Sequence, residues 1–243
     1  MVENGLDNNA REDGERRRQA AGENRLPPAI AVVVAALAYG LLPSELQFGP
    51  RLVMPVLSLL LLTALVVTNP VRMNKESRWS RIASTVLACL IIVANLVGLG
   101  MLVASLSDKE ASAPALLLGA VQVWLTGVIG FALLYWELDR GGPVARRSKP
   151  RSELPPADWR FSQDENDDTV IEVKRSASTT SGWVPTFLDY AYMSLTNSSA
   201  FSPTDTMPLS ARAKCLMGLQ ATAALFISLL VVARAVGSLG GGG

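Results

Sequence analysis

The stretch IASTVLACLIIVANLVGLGMLVASL, residues Ile82–Leu106, decides how the chain is read. It holds no charged side chain, and as a helix rising 1.5 Å per residue it reaches about 37 Å, enough to cross a hydrocarbon core of about 30 Å. Four further apolar runs flank it, at Leu26–Leu42, Leu52–Thr68, Ala113–Trp136 and Cys215–Leu239, each long enough or nearly so to cross as well. The expectation is an all-α integral membrane protein with about five transmembrane helices, whose partner along most of its surface is the lipid bilayer.

With about half of its 243 residues in such runs, the chain leaves little for a separate soluble core. Its formal net charge of +1, with basic residues gathered beside the apolar runs and not along one face, argues against nucleic acid as a partner. There is no histidine, which removes the commonest general base and zinc ligand, and no acid stands at a recognisable spacing from a base or a metal-ligand set. No enzyme activity, metal or cofactor is therefore expected. The two cysteines, Cys89 and Cys215, lie in or beside apolar runs and are expected to pack as small hydrophobes.

Arg16, Arg17 and Arg18 precede the first apolar run, but a polar leader of about 25 residues, no small-residue cleavage site and a second apolar run close behind make it an uncleaved span. Lysine and arginine then set the orientation. Arg11 to Arg25, Arg72 to Arg81 and Arg140 to Arg151 alternate with turns that carry little beyond Arg51 and Lys109. The positive-inside rule puts the N-terminus in the cytoplasm, with spans one and two and spans three and four as antiparallel hairpins.

Composition divides the chain into a polar tail, 1–25, expected to be disordered; a four-helix transmembrane region, 26–137; a flexible polar loop, 138–182, rich in proline and charge; a C-terminal unit, 183–239; and a glycine tail, 240–243, left out of the fold. In the polar loop, Trp159 and Phe161 are isolated aromatics that either rest at the membrane surface or belong to irregular loop, and Thr169–Lys174 alternates weakly enough for a short strand.

No charge falls near the middle of a span, which argues against a proton relay or a row of voltage-sensing arginines. The intramembrane polar residues are Asn95, Gln122, Thr126, Gln220 and Ser228. Ser84, Ala88, Asn95 and Leu102 share one helical stripe, Gly119, Gln122, Thr126 and Gly130 another, and Ala221, Ala224, Ser228 and Ala235 a third beside Gln220. Such stripes let helices approach and bond across one another. Alternatively, Asn95, Gln122 and Gln220 line a polar cavity near the midplane.

Before the last span comes an aromatic, amphipathic segment from Trp183, then Asn197-Ser-Ser-Ala-Phe-Ser-Pro-Thr-Asp205 and Pro208. This order resembles the pore helix, filter loop and inner helix of the tetrameric potassium channel superfamily. The chain is also similar to an uncharacterised bacterial, largely actinobacterial, family of integral membrane proteins, through Tyr135-Trp-Glu-Leu-Asp-Arg-Gly-Gly-Pro143, the Asn197–Asp205 loop and Val232-Ala-Arg-Ala-Val236. The resemblance implies a multipass protein of the bacterial plasma membrane, a short re-entrant or interfacial helix before the last span, and a homo-oligomer, with a tetramer as the channel precedent. It also implies an ion or small solute as the passing species. Pore-loop candidates are Asn197, Ser198, Ser199, Phe201, Ser202, Pro203, Thr204 and Asp205.

Both filter glycines are missing and Pro203 fixes its own φ, so potassium selectivity by stacked carbonyl rings is not expected. The orientation brings this loop in from the cytoplasmic side. Without the resemblance, the same residues read as a helix end, a turn and a new helix capped by Asp205 or Ser210. Two functions follow as expectations: a channel-like or transport protein working through an oligomeric pore, or a non-transporting scaffold that keeps the helix, loop and helix as structure and docks a partner through its cytoplasmic loop or tail.

Overall fold

The computed structural model describes residues 22–41, 55–56, 58–60, 62–63, 72–73, 78–105, 113–165, 170–199 and 205–240. A two-residue strand β1 (Glu23–Asn24) leads into helix α1 (Leu26–Gly40), with prolines in its first turn and the Leu26 amide donating to Asn24 Oδ1 at 3.0 Å. Within 55–63 the described residues are helical, and β2 (Arg72–Met73) then pairs antiparallel with β1. The long helices α2 (Arg78–Ser105) and α3 (Ala113–Leu138) follow.

Short elements fold back under α3: a 3-10 turn (Asp139–Gly141), α4 (Pro143–Ser148), a second 3-10 turn (Arg151–Glu153), β3 (Trp159–Phe161) and a third (Ser162–Asp164). After them come α5 (Ile171–Lys174), α6 (Ser178–Ser181), the amphipathic α7 (Phe187–Ser198), β4 (Thr206–Pro208), paired antiparallel with β3, and α8 (Ala211–Gly240).

Three helical stretches, Trp79–Ser105, Pro114–Gly141 and Ala211–Arg234, are long and apolar enough to cross a membrane; Leu26–Gly40 is apolar but shorter. The expected second span at Leu52–Thr68 lies mostly outside the described residues. Lacking a hydrophobic drive in lipid, such helices hold together by close backbone approach and interhelical hydrogen bonds. Along α2 and α3 both occur. A Cβ added at Gly130 would stand 3.0 Å from Ile92 Cγ1 and 3.1 Å from Ile91 Cγ2, so a larger residue there would have to push these side chains aside. One turn away, Asn95 Nδ2 donates to Thr126 Oγ1 at 2.8 Å and to the Val123 carbonyl.

The core runs through α3, which packs against α1, α2, α7 and α8 and buries Phe131, Ala132, Leu133, Leu134, Tyr135 and Trp136. The stripe of α8 that packs inward is Ala213, Met217, Gln220, Ala223, Ala224 and Ile227. It is rotated from the expected one: Ala221 and Ser228 are exposed, and Ser228 Oγ donates only to its own helix, at Ala224 O. Cys89 and Cys215 are also exposed on their helices and take no part in the core.

The stretch 138–182, read above as a flexible polar loop, is corrected most. Trp159 is fully buried, Phe161 nearly so, and Arg146 and Asp139 are at 0 % exposure. Asp139, Arg140, Arg146, Asp158 and Asp164 bond one another, nearby backbone or the start of α8, which composition alone does not reveal. The strand conceived at Thr169–Lys174 is instead the single helical turn α5 over its described part.

Candidate functional site

All the short elements gather at one end of the bundle, where β1, β2, the end of α3, the start of α7 and the start of α8 meet. The turn that ends α3 places Arg140 at φ 51° and Gly141 at φ 82°, left-handed values that glycine adopts freely and arginine does not. The strained arginine is held by side-chain bonds: it donates to the Trp159 carbonyl at 3.2 Å and pairs with Asp164. Reversing the chain here points Asp139 inward, where Oδ2 accepts from the Tyr190 hydroxyl at 2.5 Å and Oδ1 accepts from the Asp158 amide at 2.8 Å.

Around that aspartate a layer of charge closes the bundle. Arg146 donates to the Trp136 and Asp139 carbonyls, both at 2.8 Å, and lies over the Tyr190 ring at 5.0 Å. Its Nη2 stands 3.7 Å from Glu23 Oε2. Glu23 Oε1 accepts from Trp136 Nε1 at 2.8 Å and from the Phe187 amide at 2.9 Å. Burial raises the Glu23 carboxyl above its ordinary range, opposed by Arg146 and by these two donors. Asp158 in turn accepts from Ser210 Oγ at 2.5 Å and Arg212 Nε at 2.7 Å, fixing the first turn of α8. Trp159 fills the centre, 4.8 Å from the Tyr135 ring and 6.4 Å from that of Tyr190.

From this layer α7 descends. Thr186 and Asp189 form the box that starts it: the Thr186 amide and hydroxyl donate to Asp189 Oδ2 at 2.7 and 2.8 Å. Phe187 meets Trp136 edge-on, Ser194 Oγ donates to the Val128 carbonyl at 2.7 Å, and Trp124 Nε1 donates to the Ser198 carbonyl at 3.0 Å. The helix therefore runs antiparallel to α3 and stops beside Trp124, about 21 Å along α3 from Leu138 at 1.5 Å per residue. β4 is back at the charged layer, paired with β3. The helix occupies about half the depth of the bundle.

The described pore-loop candidates Asn197, Ser198 and Ser199 sit at the deep end of α7. Phe201, Ser202, Pro203 and Thr204 lie outside the described residues, and Asp205 is exposed beside β4. At that deep end Gln220 ties three helices together. Its Nε2 donates to the Ser194 carbonyl, Ser194 Oγ and Ser198 Oγ at 3.0, 2.6 and 2.7 Å. Its Oε1 accepts from the Tyr135 hydroxyl at 2.6 Å and Asn197 Nδ2 at 3.0 Å.

The expected polar trio is split by α3. Asn95 and Thr126 border an open recess between α1 and α2, walled by Ala35, Ala36, Tyr39, Pro55 and Ser58. Gln220 is on the other side of α3, and Gln122 is buried with its Oε1 unbonded among the described residues. No group of metal-ligating side chains occurs among the described residues.

Sequence reasoning missed Glu23, Asp139, Arg146, Asp158, Trp159, Tyr190 and Arg212 as parts of one layer. The signal available was the Tyr135–Pro143 motif, whose Asp139, Arg140 and Gly141 build the turn. No family model, curated protein or solved structure matches this chain. The fold and site define its class as a helical protein with, among the described residues, three helices long and apolar enough to span a membrane.

Proposed function

We propose that the chain is a five-span protein of the bacterial plasma membrane with a channel-like C-terminal unit, conducting an ion or small solute through a pore shared between identical subunits. The observation that carries this reading is the half-depth helix: α7 runs in from the charged layer, stops beside Trp124, and the chain is back at that layer by Thr206. A helix that ends within the membrane leaves backbone groups that must be covered by protein or by a water-filled cavity. Several copies around an axis supply that cover; four is the number the channel resemblance suggests.

The strand pairs support five crossings by parity. Glu23 and Asn24 lie against Met73 and Arg72, so a chain that leaves along α1 returns before residue 72. It leaves again along α2, returns along α3 to the same layer, and leaves a last time along α8. The arginines at 140, 146, 147, 151, 160 and 212 gather at that layer, which favours the cytoplasmic side for it and for the N-terminus.

Mass measurement of the detergent-solubilised protein, followed by ion flux in liposomes, tests the function. An oligomer with flux that substitutions at Ser202–Asp205 alter is expected; a strict monomer without flux overturns the reading. Cysteines placed at Ser176 and at Lys109 in a Cys89→Ser, Cys215→Ser background should label from opposite sides of the membrane.

A second reading, a non-transporting scaffold, draws support from Asn197, Ser198 and Gln220, which spend their polar groups within one chain. Its docking element would be the exposed Val170–Lys174 turn, not the whole of 143–181, since Arg146 and Trp159 belong to the core. Replacing that turn should then abolish the biological effect and leave the fold intact.

A further inference from the structure

We propose that Glu23 is the positioning residue of α7: the strap 22–25 carries its carboxylate beneath the end of α3 and holds the first turn of the half-depth helix in place. The inference rests on reading α7 as the re-entrant helix of the channel-like unit, and it adds a means by which the N-terminal segment acts on that unit.

A helix leaves its first amides without partners of its own. In α7 the Asp189 side chain serves Thr186, which leaves the Phe187 amide to be met from elsewhere. Glu23 Oε1 meets it at 2.9 Å and in the same stroke accepts from Trp136 Nε1 at 2.8 Å. The Trp136 and Phe187 rings stack edge to face at 5.9 Å beside this oxygen. Its other oxygen faces the Arg146 guanidinium at 3.7 Å, and that guanidinium hangs from the Trp136 and Asp139 carbonyls.

One carboxylate thus joins β1 to α3, α4 and α7, across sequence separations of 113 and 164 residues. The negative charge also suits the positive end of α7. No other described side chain bonds the Phe187 amide, so the first turn of α7 depends on the strap. A load or a bound partner on the residues preceding the strap reaches α7 through Glu23.

Hydrogen exchange on the full chain, in micelles and in proteoliposomes, reads the seat of α7 directly. Glu23→Ala should raise exchange across 186–199 about tenfold or more, the expected loss for a bond to a charged acceptor, with 82–105 and 114–130 unchanged. Glu23→Gln keeps the Oε1 acceptor and should restore most of the protection. If Glu23→Ala does not fold, Glu23→Asp, which withdraws the carboxylate by one methylene, should give the same selective rise. A uniform rise over all helices, no rise at 186–199, or a Glu23→Gln protein as unprotected as the alanine variant overturns the proposal. Flux measured on the same preparations keeps the two readings apart: a silent wild type sinks the channel reading, whereas the exchange pattern alone decides Glu23.

Discussion

Replacing Gln220 by leucine keeps the volume of the side chain and removes every polar contact it makes. The five bonds lost join α8 to α7 and α3: three donated to Ser194 and Ser198, two accepted from Tyr135 and Asn197. The partners do not lose equally. Ser194 Oγ still donates to the Val128 carbonyl at 2.7 Å and Asn197 Nδ2 to the Met217 carbonyl at 3.0 Å, but the fully buried Tyr135 hydroxyl loses its acceptor. Interhelical bonds in membranes average about 0.6 kcal/mol, and an orphaned buried hydroxyl costs about 1–3 kcal/mol. With five such bonds lost and one hydroxyl orphaned, these give a loss of about 4–6 kcal/mol for Gln220→Leu.

Reversible unfolding from mixed micelles, followed by helical signal and by tryptophan fluorescence from Trp124 and Trp159, measures it. Tyr135→Phe in the same background removes the orphan, so the double variant should recover about 1 kcal/mol or more relative to the sum of the singles. A Gln220→Leu protein within about 0.5 kcal/mol of wild type, or strictly additive singles, would refute the view of Gln220 as the tie between the three helices.

Gly130→Ala drives a methyl to 3.0 Å from Ile92 and 3.1 Å from Ile91, and should cost about 1–3 kcal/mol in the same unfolding assay as α2 and α3 are pushed apart. Asp158→Ala frees Ser210 and Arg212 from β3; since Arg212 is half exposed and water compensates its charge, a loss of about 1–2 kcal/mol is expected, with proteolysis increasing at the start of α8. The raised Glu23 carboxyl makes its ionisation a cost to the folded state. Its contribution is fully present below the ordinary value of 4.5 and declines as pH rises through the folded-state value, so the stability of wild type relative to Glu23→Gln should fall over that interval. A difference that grows with pH would reverse the assignment.

The helices were legible because their signal is local. Ile82–Leu106 and Ala113–Trp136 announce themselves by length and absence of charge, and α2 and α3 cover them closely. Asn95, Gln122, Thr126 and Gln220 were equally visible as the polar exceptions within such runs, and all four are buried. Which of them meet was not visible. Rotating α8 by one residue exchanges Ser228 for Ile227 on the packed face, and small or apolar side chains on both sides of the helix give no reason to prefer either.

The polar stretch after α3 was misread for a physical reason: prolines and mixed charges look solvated when each is taken alone. Asp139 and Arg146 tolerate complete burial only because Tyr190, the Asp158 amide and two carbonyls arrive from other parts of the chain. What the sequence by itself determined is the set of long apolar helices and the gathering of basic residues at alternate turns, since hydropathy and length are summed along the chain. Tertiary structure alone decided the charged layer, the half-depth course of α7 and the bond from Glu23 to Phe187. Those depend on pairing groups up to 164 positions apart, and the energy of a buried charge is fixed by its neighbours in space.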